Sequence, residues 1–207
     1  MLQHGVGTIT FYEPETKEFA ALGHGILDVD TSKLIDIGKG ELVTSKIVSI
    51  VKGENGKPGE IKGSIENGTS IGEINKNTFF GIYGKINNSA PLNINTKNAL
   101  EVANRNEIKT GEASILCTLD ESGPQEYKIN IDKIYYNNNT NNKSMLIRVT
   151  DEKLIEKTGG IIQGMSGSPI IQNGKFIGAI THVLVNDSKE GYAVFGDMML
   201  KQMRTTE

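Results

Sequence analysis

Cysteine, tryptophan and long apolar runs are scarce in this chain of 207 residues, which has one cysteine, no tryptophan and 6% aromatic residues. The single thiol excludes an internal disulfide framework and the usual cysteine-based zinc sites. Cys117 lies in the apolar run 114–119, so we expect a buried structural thiol rather than a nucleophile. No apolar run approaches the roughly 20 residues that cross a bilayer, and residues 1–5 show no signal-peptide pattern. The sequence therefore predicts no membrane span in this chain.

An excess of one charge is missing too, since the formal net charge is −3 and charged residues make up 23% of the chain. No basic stripe is present, which argues against a nucleic-acid partner. Apolar residues make up 37%, which is compatible with a globular protein. The length allows one large domain or two fused β-barrels with a real core.

Short β-branched runs bounded by Gly, Asn and Pro recur along the chain and favour an all-β barrel or sandwich. We predict strands at residues 6–12, 19–22, 42–51, 61–65, 71–74, 79–86, 111–119, 125–136, 145–149, 183–185 and 192–195, and a hairpin at 170–180. The polar, turn-rich segment 87–98 is the predicted linker between two sub-barrels, 1–90 and 110–207. Residues 99–104 are predicted to form a short helical turn.

Two helices are predicted in the second half. Residues 150–160 read as a short helix that Thr150 caps and Gly159 ends. Residues 197–204 show helical spacing of methionine and leucine and predict a C-terminal helix packed on the barrel.

The segment 164–169, Gly-Met-Ser-Gly-Ser-Pro, is the first sign of chemistry. A nucleophilic hydroxyl needs a tight turn with N–H groups directed at the developing oxyanion, and glycine allows such a turn. The Gly-x-Ser-Gly-x-Pro pattern is the one that trypsin-like serine peptidases place around their nucleophile. Because the following residues, 170–180, predict a β-hairpin with an Asn-Gly turn, they favour a β-barrel peptidase over an α/β-hydrolase. The alternative is ordinary turn chemistry without catalysis.

A histidine between two glycines follows an early strand. The small neighbours of His24 leave its ring open on one side, as a general base requires, although a packed core histidine is the alternative. His182 lies in an apolar strand, where packing or a pocket wall is expected, and His4 lies near the terminus and is not expected to act. Ser168 is the rival nucleophile, but Ser166 has the two glycines of the motif around it.

Four segments together resemble the SpoIVB family of sporulation peptidases from endospore-forming bacteria: 5–12, 21–25, 159–169 and 178–187. The resemblance covers nearly the whole chain and implies a serine peptidase domain of the trypsin-like double β-barrel fold. The family normally carries an N-terminal anchoring or signal segment and a PDZ domain ahead of the peptidase. Neither is seen here, so we expect an isolated peptidase domain.

The resemblance also implies site residues. It makes Ser166 the nucleophile, His24 the general base and Asp151 the acid that orients His24. Asp151 is close to Ser166 in the chain, whereas trypsin-like enzymes take their acid from the first barrel. Asp28, Asp30 and Asp36 follow His24 and could orient its ring instead.

The backbone N–H groups of Gly164 and Ser166 are expected to bind the oxyanion. By analogy with trypsin-like folds, the primary pocket is expected beside residues 160–164 and 180–183, where small residues would admit a sizeable side chain. No metal or organic cofactor is required by this mechanism.

Partners and location follow from the resemblance alone. It implies cleavage of the chain itself and of a membrane-associated regulator, in the space between the forespore and mother-cell membranes, which leads to activation of a late sporulation sigma factor. The alternative function is a latent peptidase-fold module that binds peptide or a partner without cutting. The glycine-rich residues around Ser166 and the polar loop 137–142 make such a state plausible.

Overall fold

The structure is a computed structural model that describes residues 5–88, 90, 99–137 and 140–205, without the side chains of 66–69. Its strands and helices, in chain order, are β1 Ile9–Tyr12, β2 Glu18–Ala21, β3 Gly40–Val51, β4 Glu60–Thr78, β5 Gly81–Ile86, β6 Gly111–Thr118, β7 Pro124–Ile134, β8 Met145–Val149, α1 Glu152–Thr158, β9 Pro169–Gln172, β10 Lys175–Leu184, β11 Asp187–Phe195 and α2 Gly196–Arg204.

The first half forms a five-stranded antiparallel sheet in the order β1-β2-β5-β4-β3. The separate strands predicted at 61–65 and 71–74 are wrong, because they belong to the single 19-residue strand β4. That strand pairs with β3 along its length up to Ile74 and with β5 only from Gly72 onwards. Irregular register along both ladders lets one long strand serve two neighbours in this way.

The second half closes into a six-stranded barrel in the order β10-β11-β8-β7-β6-β9, with β9 pairing to β6 at the seam. Isoleucines at alternating positions of β7, such as Ile129 and Ile131, are buried in its core, as the period of a strand requires. Asn173 and Gly174 have φ values of 52° and 76° and connect β9 to β10. The predicted hairpin with an Asn-Gly turn is confirmed.

Helix α1 begins and ends for local reasons. Helix α1 is capped by Asp151, not by the predicted Thr150, since the Asp151 side chain accepts the N–H groups of Lys153 and Leu154. Gly159, with φ 74°, ends α1 as predicted. The helical turn predicted at 99–104 is wrong in position, because the short 3₁₀ turn lies at Arg105–Glu107.

The C-terminal helix α2 packs three buried methionines against the protein: Met198, Met199 and Met203. The Lys76 ammonium group of β4 donates to the carbonyl oxygens of Gln202 and Thr205 at 2.9 and 2.7 Å. A cation at the carbonyl end of a helix is favourable, so this contact fixes the helix to the first sheet.

The predicted mainly β architecture with a C-terminal helix is confirmed, with a five-stranded sheet in the first half and a closed barrel in the second. Of the predicted linker 87–98, only 87, 88 and 90 are among the described residues. Neither helix of the described ranges is long and apolar enough to pass through a membrane. Cys117 is 2% exposed, and its burial raises the pKa of the thiol to about 12, as expected for a structural cysteine.

Candidate active site

Ser166 lies in a loop between α1 and β9, which we call the serine loop, residues 159–167. Gly164 and Gly167 there have φ values of 99° and 91°, a region that favours glycine. A Cβ atom on Gly167 would lie 2.3 Å from the Thr8 carbonyl oxygen and 2.6 Å from the Leu22 nitrogen. The motif glycine after the serine is therefore required by close backbone approach as well as by conformation.

The two candidate nucleophiles have different surroundings. Ser166 is half-buried, and its hydroxyl donates a hydrogen bond to the Thr181 carbonyl oxygen at 3.1 Å. Ser168 is completely buried, and its hydroxyl has no partner among the described residues. A substrate can reach the first hydroxyl and not the second, which supports the preference for Ser166.

His24 lies on a tight turn after β2, which we call the histidine turn, residues 22–25. The Gly23 N–H donates to the Ala21 carbonyl oxygen at 2.9 Å across Leu22, which has φ 70°. This is a three-residue γ-turn of the rare left-handed form, which is strained for a leucine. The residue two positions later, His24, is half-buried.

Asn77 of β4 holds the chain that follows the histidine turn. Its amide oxygen accepts the Ile26 N–H at 2.9 Å, and its amide nitrogen donates to the carbonyl oxygens of Ile26 and Ile35 at 2.8 and 2.9 Å. Gly25 fits beneath it because a Cβ atom there would lie 2.5 Å from the Thr78 carbonyl oxygen. The sequence gives no signal for this role of Asn77, since the contact joins residues 51 positions apart.

The His24 ring makes two described contacts. Its Nδ1 lies 2.9 Å from the carbonyl oxygen of Gly25, and its centroid lies 5.2 Å from that of His182. With Nδ1–H donating to Gly25, the other ring nitrogen, Nε2, carries the lone pair that a general base needs. His182 is an exposed residue of β10, and the pKa of its imidazole is lowered to about 4, mainly by partial desolvation of the ring and further by the charges of His24 and Lys143.

Strand β10 brings the serine and histidine segments together. Ser166 contacts the Thr181 carbonyl, and His24 contacts the side chain of His182, the next residue along β10. No hydrogen bond joins Ser166 to His24 in the described part of the chain. A hydrogen bond between Ser166 and His24 would therefore require the serine side chain to leave Thr181.

Thr8, just before β1, ties the serine loop to the histidine turn. Its N–H donates to the Ser166 carbonyl oxygen at 3.0 Å, and its hydroxyl donates to the Gly164 carbonyl oxygen at 3.3 Å. Its own carbonyl oxygen accepts the Leu22 N–H at 3.2 Å. Sequence reasoning assigned no role to Thr8, and the only signal for it was the resemblance of residues 5–12.

Asp151 is engaged at the start of α1. Its carboxylate accepts the N–H groups of Lys153 and Leu154 at 3.0 and 3.2 Å and that of Lys128 at 3.2 Å. Within the described residues, no hydrogen bond joins His24 to any of the four candidate acids: Asp28, Asp30, Asp36 and Asp151. The role of Asp151 as the orienting acid stays a prediction, and its geometry is that of a helix cap.

Asp28 is also occupied locally. It accepts hydrogen bonds from the Thr31 hydroxyl and N–H at 2.7 and 2.8 Å, and these bonds lower the pKa of the Asp28 carboxyl.

The two predicted oxyanion donors are unoccupied by protein acceptors. Neither the Gly164 N–H nor the Ser166 N–H donates to another residue that the structure describes. The N–H groups beside them are used, since Met165 donates to Ile162 at 3.1 Å and Ser168 donates to Met165 at 2.9 Å. The turn thus leaves free the two N–H groups that the motif assigns to the oxyanion.

The glycines at 160–164 do not provide the roomy pocket that the sequence suggested. A Cβ atom on Gly160 would lie 2.2 Å from the Ser188 carbonyl oxygen, and one on Gly164 would lie 2.9 Å from the Ile61 Cβ. Ile161 between them is 2% exposed, and its Cδ1 atom lies 2.6 Å from where a Cβ atom on Gly191 would be. These glycines allow close backbone packing.

Comparisons with known proteins give one family. The sequence model of the SpoIVB peptidase S55 family matches residues 2–200. No curated protein matches the chain.

Solved structures to which this chain is similar include a serine-to-alanine mutant of Rv3671c from M. tuberculosis H37Rv in its inactive form, at 14% identity and a TM-score of 0.43, with 82% of this chain and 87% of that chain covered. The HtrA-type protease AlgW with a decapeptide is 15% identical with a TM-score of 0.47, and the match covers 79% of this chain and 50% of that chain. The active form of the Rv3671c protease from M. tuberculosis is 14% identical with a TM-score of 0.42, and the match covers 100% of this chain and 94% of that chain.

The family match extends over both halves of the fold, from the residues that precede β1 to α2. The chain belongs to the SpoIVB peptidase S55 family and is a serine peptidase.

Proposed function

We propose that the chain is a serine endopeptidase in which Ser166 is the nucleophile and His24 is the general base. The observation that carries this proposal is the meeting of both segments on neighbouring residues of β10, Thr181 and His182. Attack on a peptide carbonyl needs a nucleophile and a base. The half-buried hydroxyl of Ser166 and the Nε2 atom of His24 would supply them.

The reaction begins when the Ser166 hydroxyl gives up its hydrogen bond to the Thr181 carbonyl oxygen and donates instead to Nε2 of His24. His24 takes the proton as the serine oxygen attacks the substrate carbonyl, and it later gives that proton to the leaving amine. The oxyanion is bound by the N–H groups of Gly164 and Ser166, and loss of one such donor costs roughly 3–4 kcal/mol in comparable enzymes. The Gly25 carbonyl keeps the proton on Nδ1 of His24.

The family resemblance adds Asp151 as the third member of a triad, and this assignment has a direct test. Asp151→Asn keeps a side chain that caps a helix as well as aspartate does but removes the charge. If Asp151 orients His24, the rate should fall by about 10⁴, as for loss of a triad aspartate. If it only caps α1, the rate should change by less than about tenfold.

The biological role that we propose is proteolytic signalling during endospore formation. Family membership and its name support this role. The substrates would be the chain itself and a membrane-associated sporulation regulator, in the extracytoplasmic space between the forespore and mother-cell membranes. Cleavage would lead to activation of a sporulation sigma factor.

A second candidate is a latent peptidase-fold module that binds peptide without cutting. The observation that favours it is the hydrogen bond from Ser166 to Thr181, which holds the hydroxyl away from a role as nucleophile. In this state the chain would become active only after a partner changed the serine rotamer.

Labelling of the purified chain with a fluorophosphonate probe distinguishes the two candidates. An endopeptidase should be labelled, and labelling should disappear in Ser166→Ala and His24→Ala but survive in Ser168→Ala. If the chain stays unlabelled although it shows a cooperative unfolding transition, the hypothesis of an active enzyme is contradicted and the latent module is supported. Intact-mass measurement of fragments after incubation would then test self-cleavage separately.

A further inference from the structure

The connection between β3 and β4 lies against the serine loop. We call residues 52–61 the hairpin tip. The Gly53 N–H donates to the carbonyl oxygen of Thr158, at the end of α1, at 2.8 Å. A Cβ atom on Gly159 would lie 2.1 Å from the Gly53 carbonyl oxygen, so the two backbones are in direct contact. A part of the first sheet thus packs against the segment that carries the oxyanion donors.

Two hydrogen bonds join the hairpin tip to Gln163. The Ile61 N–H donates to the Gln163 carbonyl oxygen at 2.8 Å, and the Gln163 N–H donates to the Gly59 carbonyl oxygen at 2.9 Å. Together they form an isolated parallel bridge between Glu60 and Gln163. The bridge ends one residue before Gly164.

The bond from Ile61 fixes a peptide group that matters for catalysis. The Gln163 carbonyl and the Gly164 N–H belong to the same planar trans peptide and point in opposite directions. Holding that carbonyl toward β4 therefore holds the Gly164 N–H away from β4, where it is free of protein acceptors among the described residues. If the peptide rotated, the oxyanion site would receive a carbonyl oxygen in place of a donor.

The serine loop has little of its own that would prevent this rotation. Gly159, Gly160 and Gly164 all have positive φ, and glycine moves between such conformations at low cost. The Ile61 side chain adds a steric limit, because it abuts Gly164. Gln163 itself is exposed and makes no other described hydrogen bond.

We propose that the hairpin tip is the positioning element of the oxyanion hole, and that the Ile61 N–H holds the Gln163–Gly164 peptide in its donating orientation. This inference rests on the proposed function of Ser166. It makes Ile61 a positioning residue that never touches the substrate. Catalytic competence then depends on contact between the first sheet and the serine loop, in addition to the meeting of Ser166 and His24.

The test compares Ile61→Pro with Ile61→Ala. Both variants lose the isoleucine side chain, but only proline removes the N–H. That N–H faces Gln163 and so lies on the side of β4 away from β3, since successive N–H groups of a strand alternate in direction. Proline should therefore spare the β3–β4 ladder.

The measurement is the rate and final stoichiometry of fluorophosphonate labelling. We expect Ile61→Pro to be labelled on the order of 100-fold more slowly than Ile61→Ala, the size of a lost oxyanion donor, and still to reach one label per chain. A misfolded fraction that cannot refold behaves differently, because it lowers the final stoichiometry while the competent fraction reacts at the normal rate. Equal rates in the two variants would overturn the inference, whereas an unlabelled parent chain would overturn the proposed function.

A second pair of variants covers the case in which Ile61→Pro does not fold. Gly159→Ala forces a Cβ atom into the Gly53 carbonyl at 2.1 Å and should separate the hairpin tip from the serine loop. Gly123→Ala is the matched control, because Gly123 also has positive φ, at 84°, but a Cβ atom there meets nothing within 4 Å. Labelling should slow in the first and not in the second, and equal slowing would contradict the proposal.

Discussion

The histidine turn and the serine loop reach the same strand, β10, but they are held in different ways. The histidine turn is fixed within its own sheet, by a strained γ-turn at Leu22 and by the Asn77 side chain. The serine loop is fixed from outside, by Thr8, which precedes β1, and by Ile61 of β4. The proposed base is thus held by contacts within the first sheet, whereas the proposed nucleophile and oxyanion donors are held by contacts between the two halves of the molecule. Changes to the second set should affect activity more than changes of similar size to the first.

Gly167→Ala should have the largest effect, because it disrupts the junction at which Thr8 joins the serine loop to the histidine turn. Its Cβ atom would lie 2.3 Å from the Thr8 carbonyl oxygen, and its φ of 91° is unfavourable for alanine. We expect loss of labelling and a loss of about 2–4 kcal/mol in the free energy of unfolding. Urea unfolding checks this, with Gly123→Ala as the control. Normal labelling of Gly167→Ala would show that the junction is not needed.

Asn77→Asp should come next, because it affects only the histidine side of the comparison. The carboxylate keeps the acceptor for the Ile26 N–H but loses the donor to the carbonyl oxygens of Ile26 and Ile35. We expect a loss of about 1–3 kcal/mol in the free energy of unfolding. The labelling rate should fall less than in Ile61→Pro. A larger fall would mean that the histidine turn is the more sensitive segment.

Thr8→Val is a smaller change on the serine side. It removes the hydroxyl bond to the Gly164 carbonyl and leaves both backbone bonds of Thr8 intact. We expect a loss of at most about 1 kcal/mol in the free energy of unfolding and a labelling rate reduced by a few-fold. Thr8→Ser, which keeps the hydroxyl, should behave like the parent chain. If it instead matches Thr8→Val, the hydroxyl has no part in the effect.

The smallest expected effect is a pH dependence from His182, because the residue is exposed and solvent screens its charge. Its pKa of about 4 in the folded protein is below the value of about 6.5 for a free histidine. Between these values the unfolded chain binds more protons, so stability should fall as the pH drops from about 6.5 towards 4. His182→Gln should lose this part of the slope, which urea midpoints across the pH range would show. Parallel curves for both proteins would contradict the shift.

The sequence correctly predicts features of the fold that depend on residues adjacent in the chain. The Asn-Gly turn at 173–174 and the end of α1 at Gly159 both follow from residues that are neighbours in the chain. The shift of the α1 cap from Thr150 to Asp151 is an error of one residue between two good capping side chains.

The remaining errors and omissions arise from contacts between distant residues. Strand β4 is continuous because two different strands pair with it, and no local pattern announces such pairing. Thr8 and Gly164 are 156 residues apart, and only the fold shows that they meet. The glycines of 160–164 predict room for a substrate side chain, but neighbouring backbone and Ile61 fill that space.

The buried thiol of Cys117 has a practical consequence for spectroscopy. Because it is 2% exposed and its pKa is raised to about 12, it should stay unreactive toward maleimides near neutral pH. A cysteine placed at the exposed position Lys57 would then be the one reactive thiol of the described chain. An environment-sensitive dye attached there would report motion of the β3–β4 connection in real time, without any background mutation of the native cysteine.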